Sequence, residues 1–256
     1  MYIMNRNKGF TLIELSVVIV IIGLIVAGIV GGQSLVRQAK IRSVVTDLNK
    51  YHTAFNTFRL EYDGYPGDIK NAEDYWGSDA SCPNTPTNTV PKQATCNGDG
   101  NGKVGWIGTY YEMQRAWQHL ANADIIPGQY AGARGPADTL DHEININCPA
   151  GPYEGTGYAV EYTATSVGDG SMFAMSMHKH TFWFGKETAH RPQGQALKPK
   201  ELFVLEQKID DKLPAKGIVR AYSWSTCTDA ANNADLDSEY DLTNDNIGCA
   251  LLYLFD

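Results

Sequence analysis

Hydrophobic residues are distributed unevenly along the chain. Between Leu15 and Val36 the sequence has 22 consecutive uncharged residues, rich in Val, Ile and Leu. A helix rises about 1.5 Å per residue, so this run can cross a hydrocarbon core of roughly 30 Å. The alternative is a secretory signal peptide, which has a shorter apolar region followed by a small-residue cleavage site. Because residues 31–34 lead directly into further helical pattern, we predict a helix that is retained in the membrane.

After Arg37 the apolar positions become periodic, with one every three or four residues. This spacing predicts one stripe of an amphipathic helix, which residues 63–67 then end with Gly and Pro. We therefore expect one helix from Phe10 to Tyr62. A coiled coil is the alternative, but the short, aromatic-rich stripe favours packing against the chain's own head. The stripe consists of Ile41, Val44, Leu48, Tyr51, Phe55, Phe58 and Tyr62.

From Asp68 onward the predicted elements are short and are separated by Gly, Pro and Asn. A Thr109-x-x-Glu112 capping box predicts the start of a helix that continues to about Ala123. The fold class is therefore predicted as α+β, with a long N-terminal helix packed on a globular head that contains an antiparallel sheet. The other predicted elements are strands over 157–166 and 171–184 that form a hairpin, a helix over 201–212 and a strand over 217–224.

Charge is segregated along the chain. Residues 1–62 carry seven basic and three acidic side chains, whereas the remainder carries 14 basic and 26 acidic ones. An acidic head repels phosphate backbones, so we expect no general nucleic-acid binding.

Four of the five cysteines bracket two polar loops. Cys82 and Cys96 enclose one loop, Cys227 and Cys249 enclose the other, and neither pair has metal-site spacing. Each pair is interpreted as a disulfide, which would stabilise the fold by about 3 kcal/mol. This favours an oxidising compartment outside the cytoplasm. The pairing is a preference among 15 two-bridge arrangements of the five cysteines, and it leaves Cys148 over.

One carboxylate, Glu14, lies at the edge of the apolar run. Such a group costs about 2.5–3.5 kcal/mol in a membrane helix and marks a functional site with a partner. Lys8 is one candidate partner, and a new amino terminus created at Phe10 is another. Residues 8–15 read Lys-Gly-Phe-Thr-Leu-Ile-Glu-Leu and precede a long apolar helix. In this they resemble the prepilin signature of type IV pilins and type II secretion pseudopilins.

The resemblance implies a processing and assembly pathway. In that family a prepilin peptidase cuts after the glycine, here Gly9, and N-methylates the exposed residue, here Phe10. The glutamate, here Glu14, pairs with the terminal amine of a neighbouring subunit. Many type IV pilins have proline at the position that Gly31 occupies here. Two interpretations of the glycine stay open, namely a locally loosened helix and close packing against a neighbouring helix.

These inferences divide the chain into four segments. They are a leader peptide over 1–9, a transmembrane and assembly half of the helix over 10–36, an amphipathic half over 37–62 and an extracytoplasmic α+β head over 63–256. The flanking charges are nearly balanced, so the disulfides rather than the positive-inside rule place the head outside the bacterial inner membrane. The resemblance implies homologous subunits, prepilin peptidase and an inner-membrane assembly platform as partners, with the lipid bilayer holding the subunit before assembly.

The head also contains a partial calcium-binding pattern. Asn97, Asp99, Asn101 and Lys103 occupy alternate positions with glycine at the sixth, as in the first half of a calcium loop. Gly108 occupies the twelfth position, where a bidentate acid is expected, and a glycine-rich turn is the alternative. No cofactor is required by this interpretation, and calcium is a candidate ligand.

Other polar residues carry weaker predictions. The acidic stretch over 229–245 is interpreted as a solvated loop, with calcium as the alternative. His178 and His180 are interpreted as ordinary strand residues rather than metal ligands. The resemblance implies a structural filament subunit, and because no catalytic constellation is recognised in the sequence we predict that the chain is not an enzyme. A type II secretion pseudopilin and a tip-located adhesive or ligand-binding minor pilin are the alternatives.

Overall fold

A computed structural model of the chain describes residues 9–82, 90–107, 110–133, 142–165, 170–174 and 176–255. The chain divides into two compact units, Met1–Arg42 and Ser43–Asp256. The first helix, α1, spans Leu12–Tyr62 and therefore confirms the predicted long helix to within two residues. Part of α1 lies in each unit.

The first unit consists of the apolar part of α1. All side chains over residues 12–39 are exposed, among them Leu24 at 70% and Leu35 at 69%. By length and composition, α1 is a helix that can cross a membrane. An apolar surface of this size is unfavourable in water, so it requires lipid or other apolar surfaces around it.

The second unit buries the aromatic stripe that begins at Val44. Val44, Leu48 and Phe58 are fully buried, and Phe55 is 1% exposed. The ring of Tyr51 packs edge-to-face against Trp117 and Tyr158, with centroid distances of 4.9 and 5.1 Å. Phe55 likewise lies 5.2 Å from Phe182 and 5.4 Å from Phe255. This confirms that the stripe packs on the chain's own head.

A four-stranded antiparallel sheet forms the centre of the head. The strands are β3 (Thr156–Thr165), β4 (Ser176–Lys186), β5 (Val219–Tyr222) and β6 (Ala250–Phe255), in the order β3-β4-β6-β5. A further hairpin is made by β1 (Trp106–Ile107) and β2 (Tyr110–Tyr111). The long helix and this sheet confirm the predicted α+β class.

The remaining helices are short. They are α2 (Ala72–Trp76), α3 (Glu112–Asn122), α4 (Pro199–Ile209) and α5 (Trp224–Cys227). The predicted hairpin over 157–184 is confirmed. The predicted helix is present, but it begins at Glu112 rather than directly after Thr109, because Tyr110 and Tyr111 form β2. Gly108 and Thr109 lie outside the described residues. The helix over 201–212 ends earlier than predicted, because Asp210 adopts extended backbone and its N–H caps the carbonyl of Glu206 at 2.7 Å.

Two disulfides close the polar loops. They join Cys82 to Cys96 and Cys227 to Cys249, with Cα–Cα distances of 5.5 and 5.0 Å. Cys148 is a free thiol and is buried. Cys249 lies directly before β6, so the second bond fixes the entry to an inner strand of the sheet.

Candidate processing site and carboxylate clusters

The segment before α1 holds the residues predicted to be processed. Gly9, Phe10 and Thr11 are not helical, and the helix begins at Leu12. The Phe10 side chain is 87% exposed. The Gly9–Phe10 peptide bond therefore lies in irregular backbone, where an enzyme can reach it without unwinding a helix.

Glu14 is bound to the start of its own helix. Its Oε2 accepts hydrogen bonds from the backbone N–H and the hydroxyl of Thr11, both at 2.8 Å. The Thr11 hydroxyl in turn accepts a bond from the backbone N–H of Glu14 at 3.3 Å. These reciprocal bonds form a capping box, and the carboxylate also faces the positive end of the helix dipole. Thr11 was missed in the sequence, although the spacing Thr-x-x-Glu is the signal that identifies it.

The helix is continuous through the four glycines of the apolar run. A Cβ built on Gly23, Gly28, Gly31 or Gly32 would meet no atom within 4 Å. These positions therefore form small, open stretches on an exposed surface, and the loosening and packing interpretations of Gly31 both stay predictions.

Residues 4–30 match the family model of the prokaryotic N-terminal methylation motif. The chain carries the prepilin signal of type IV pilins and pseudopilins. No curated protein and no solved structure shows significant similarity to the chain. The motif supports a protein of the type IV pilin or pseudopilin class. Because the match ends at Val30, it carries no information about the role of the head.

The fold agrees with this signal. The chain has a pilin-like α+β architecture, with a long N-terminal helix and a head built on a four-stranded antiparallel sheet. The motif is typical of structural subunits and implies, in general, assembly with other pilin subunits and recognition by prepilin peptidase. The apolar helix fits a membrane-anchored pilin.

The side chains of the four predicted calcium ligands contact protein groups. The side-chain oxygen of Asn97 accepts the backbone N–H of Glu73 at 2.9 Å. Lys103 places its Nζ 4.9 Å from the ring centroid of Tyr162. Asn101 donates its side-chain amide to Asp99 at 2.8 Å. Calcium binding by this loop stays a prediction.

Asp99 instead joins two carboxylates from distant parts of the head. Carboxylate oxygens of Asp68, Asp99 and Glu112 lie within 4.8 Å of one another, and we call this group the loop cluster. Glu112 is the first residue of α3, and Asp68 follows the turn that ends α1. Sequence reasoning missed Asp68 because it lies far from the calcium-like motif in the chain.

Backbone N–H groups of the loop surround these carboxylates. Asp68 accepts bonds from Asn101 at 3.1 Å and from Gly102 at 2.8 Å. Glu112 accepts bonds from Asp99 and Gly105, both at 3.0 Å. A carboxylate that receives two N–H donors has much of its lost hydration replaced.

Burial nevertheless dominates the protonation of the loop cluster. It raises the pKa of Glu112 to about 8, although the N–H bonds from Asp99 and Gly105 oppose the shift. Burial also raises the pKa of Asp68 to about 6, against the bonds from Gly102 and Asn101. The cluster is thus a group of largely buried carboxyls held inside a hydrogen-bonded loop.

A second group of three carboxylates lies at the end of α4. It consists of Glu206, Asp210 and Asp211, and we call it the helix-end cluster. The two histidines of β4 do not form a comparable group. His180 is buried and accepts the backbone N–H of Val104 at 3.1 Å, whereas His178 is exposed.

An open cleft lies beside the end of α1. Its volume is about 900 Å³, and its lining includes Arg59, Leu60, residues 62–65 and 68–71, Gly100 and Gly102. Arg59 lies over the ring of Tyr65 at 4.9 Å, and Leu60 is 89% exposed at this end of the helix. The cleft therefore offers a cation, aromatic rings and an apolar side chain together.

Proposed function

We propose that this protein is a structural subunit of a type IV pilus-like filament. Prepilin peptidase cleaves it between Gly9 and Phe10 and N-methylates Phe10. The mature chain is held in the bacterial inner membrane with its head outside the cytoplasm. An assembly platform then transfers it into a filament, in which α1 packs against the same helix of neighbouring subunits.

The methylation motif directly before an apolar helix carries this proposal. Cleavage at this position removes only the leader, so the helix remains in the mature chain. All side chains over residues 12–39 are exposed, which supports a surface that is covered first by lipid and then by other subunits. The two disulfides support a head in an oxidising compartment.

The first step is tested by Gly9→Ala. This variant should accumulate as uncleaved precursor and form no filaments, as seen by mobility on a gel and by electron microscopy. Wild-type processing and filament formation in Gly9→Ala would overturn the proposal.

A test of the assembly role of Glu14 requires a variant that removes the charge and keeps the helix cap. Glutamine also closes a capping box, so Glu14→Gln keeps the local structure and removes the charge. We expect Glu14→Gln and Glu14→Leu to be cleaved and both to assemble poorly. Thr11→Ala is the matched control, because it weakens the cap and keeps the carboxylate. Normal filaments from Glu14→Gln, with poor ones from Thr11→Ala, would assign Glu14 to capping alone.

The cleft favours a second role for the head, as a ligand-binding tip of the filament. A tip subunit labels only at filament ends in electron microscopy of tagged protein, whereas a shaft subunit labels along the length. Deletion of the gene separates the remaining alternative, because loss of secretion rather than of surface filaments identifies a pseudopilin.

A further inference from the structure

The cleft beside the end of α1 carries two cations in an otherwise acidic head. Arg59 and Lys70 line the cleft and are exposed, whereas residues 63–256 carry 14 basic and 26 acidic side chains. Neither cation forms an ion pair with any residue that the structure describes. A local excess of positive charge on an acidic surface attracts an anion to that place.

The guanidinium of Arg59 is held in position by a neutral partner. Its Nη1 donates to the hydroxyl of Tyr65 at 3.0 Å, and its central carbon lies 4.9 Å from the centroid of the Tyr65 ring. Tyr65 in turn packs on the buried His180, with ring centroids 4.1 Å apart. Arg59 therefore keeps its charge and further N–H donors for a ligand, and it loses less side-chain freedom when a carboxylate binds.

Lys70 lies across a glycine of the neighbouring loop. A Cβ built on Gly100 would overlap three carbons of the Lys70 side chain, and Gly100 also has a φ of +65°. The glycine therefore permits both the turn of the loop and the path of the lysine over it. The aliphatic part of Lys70 packs on the loop, while its ammonium carries a second positive charge at the cleft.

The carboxylates of the cleft lining do not neutralise these two cations. Asp68 is buried, and its two oxygens accept the backbone N–H groups of Asn101 and Gly102, so they are directed into the loop. Asp63 is the other acid of the lining, and it is exposed. Two cations thus share the cleft with one accessible carboxylate, which leaves a positive charge for a ligand.

The rest of the lining suits a saccharide. Tyr62 and Tyr65 contribute partly exposed rings, and Asn56 and Asn71 contribute amides. Aromatic rings pack on the apolar C–H face of a sugar, while amides and hydroxyls bond to its hydroxyl groups. The volume of about 900 Å³ lies in the range of small-molecule pockets. A wholly apolar ligand would desolvate both cations without pairing them, and a long polyanion would be repelled by the acidic head.

We propose that the cleft binds a saccharide that carries a carboxylate. Arg59 binds this carboxylate, Lys70 adds a second positive charge to the cleft, and the rings of Tyr62 and Tyr65 contact the sugar. The inference rests on the ligand-binding role of the head proposed above, and it names the chemical class of the ligand.

The test uses the full-length chain in micelles of a zwitterionic detergent, because a glycoside detergent would compete for the cleft. The probes are sialyllactose and digalacturonate, which carry carboxylates on sugar rings. Lactose is the neutral control, and the peptide Gly-Asp-Gly is the control with a carboxylate and no sugar. Ligand-observed NMR titration should show saturable binding of an acidic saccharide about tenfold or more tighter than that of either control. Added salt should weaken this binding.

Two variants assign the binding to the cleft. Arg59→Lys keeps the charge and loses the two parallel donors, so it should weaken binding about tenfold. Lys70→Met keeps a long side chain over Gly100, removes the charge and should also weaken binding. Lys200→Met is the matched control, because it removes an exposed lysine of α4 outside the cleft lining and should bind as the wild type does.

The outcome is separable from that of the filament proposal. The uncleaved Gly9→Ala precursor should bind the saccharide as the wild type does, because residues 56–102 form the cleft. Arg59→Lys and Lys70→Met should be cleaved and assembled normally. Absence of binding of both acidic saccharides, equally tight binding of lactose or of the peptide, or unchanged binding in both cleft variants overturns the proposal and leaves the filament function standing.

Discussion

The loop cluster and the helix-end cluster each hold three carboxylates, yet they differ in what surrounds the buried glutamate. Burial raises the pKa of Glu112 and that of Glu206 to about 8 in each case. Glu112 accepts two backbone N–H bonds at 3.0 Å. Glu206 has no such backbone donors, and it interacts instead with the buried hydroxyl of Tyr240, whose hydrogen bond lowers its pKa against the effect of burial.

This difference shows that charge count and pKa do not identify a cation site. Both clusters have the same number of acids and a similar shift of the pKa, so these quantities do not separate them. The hydrogen-bond partners do, because N–H donors replace the hydration that a buried carboxylate loses. In the helix-end cluster a side-chain hydroxyl, that of Tyr240, takes the place of the backbone donors, and burial keeps Glu206 protonated at neutral pH.

The largest effect on stability is expected from Glu112→Ala. It leaves the N–H groups of Asp99 and Gly105 without their acceptor, and each unpaired buried donor costs about 1–3 kcal/mol. We expect the free energy of unfolding to fall by about 4 kcal/mol in total. Thermal unfolding of the full-length chain, followed by near-ultraviolet circular dichroism of the buried tryptophans, measures this. A loss below about 1 kcal/mol would mean that the two N–H bonds contribute little.

The disulfides allow each cluster to be disturbed separately. Cys227 and Cys249 close the loop that carries Tyr240, beside the helix-end cluster, whereas Cys82 and Cys96 close the loop before Asn97. Replacing either pair with alanine should cost about 3 kcal/mol of unfolding free energy. Only the Cys227/Cys249 variant should also change the pH dependence of stability that belongs to Glu206, because its loop carries Tyr240. An equal change in both variants contradicts the separation of the clusters.

The raised pKa values predict a pH dependence in calcium-free buffer. Glu112 and Glu206 have a pKa of about 8 in the folded head and a usual value of 4.5. The folded state therefore binds protons that the unfolded state has released, and stability falls as the pH rises from 4.5 toward 8. Burial lowers the pKa of His119 to about 3 from 6.5, which acts in the opposite direction below pH 6.5.

The pH effect is therefore measured between pH 7.5 and 8.5, where little of His119 is protonated in either state. The melting temperature of the wild-type chain should fall across this range, and Glu112→Gln and Glu206→Gln should each flatten the slope. A wild-type melting temperature that rises from pH 7.5 to 8.5 contradicts the assignment of both groups.

The sequence predicted the helix and the hairpin because their signals are local. The stripe from Val44 to Phe58 follows the helical period, and Gly and Pro end it within five residues. Strand β6 was missed because all of its residues over Ala250–Phe255 are buried. An inner strand covered on both faces has no alternation of polar and apolar residues to identify it.

Candidate sites could be predicted from the sequence where their residues lie close together in the chain. The prepilin signal and the Thr11–Glu14 capping box lie within a few residues of each other. The loop cluster is not local, because the fold brings Asp68 to Glu112 across two elements and a disulfide-linked loop. The acids of the helix-end cluster are close in sequence, but the burial of Glu206 depends on packing that no local pattern encodes.

The smallest effect on stability is expected from Glu206→Gln, and it tests the difference between the two buried glutamates directly. At pH 6.5 Glu206 is protonated, so Glu206→Gln exchanges one neutral group for another of the same shape. The amide oxygen of glutamine can still accept from the Tyr240 hydroxyl, and the free energy of unfolding should change by less than about 0.5 kcal/mol. The matched variant Glu112→Gln turns an amide N–H₂ toward one of the two backbone donors and should cost about 2 kcal/mol under the same conditions. Equal costs for the two variants, measured by urea unfolding, would mean that the backbone donors do not distinguish the two buried glutamates.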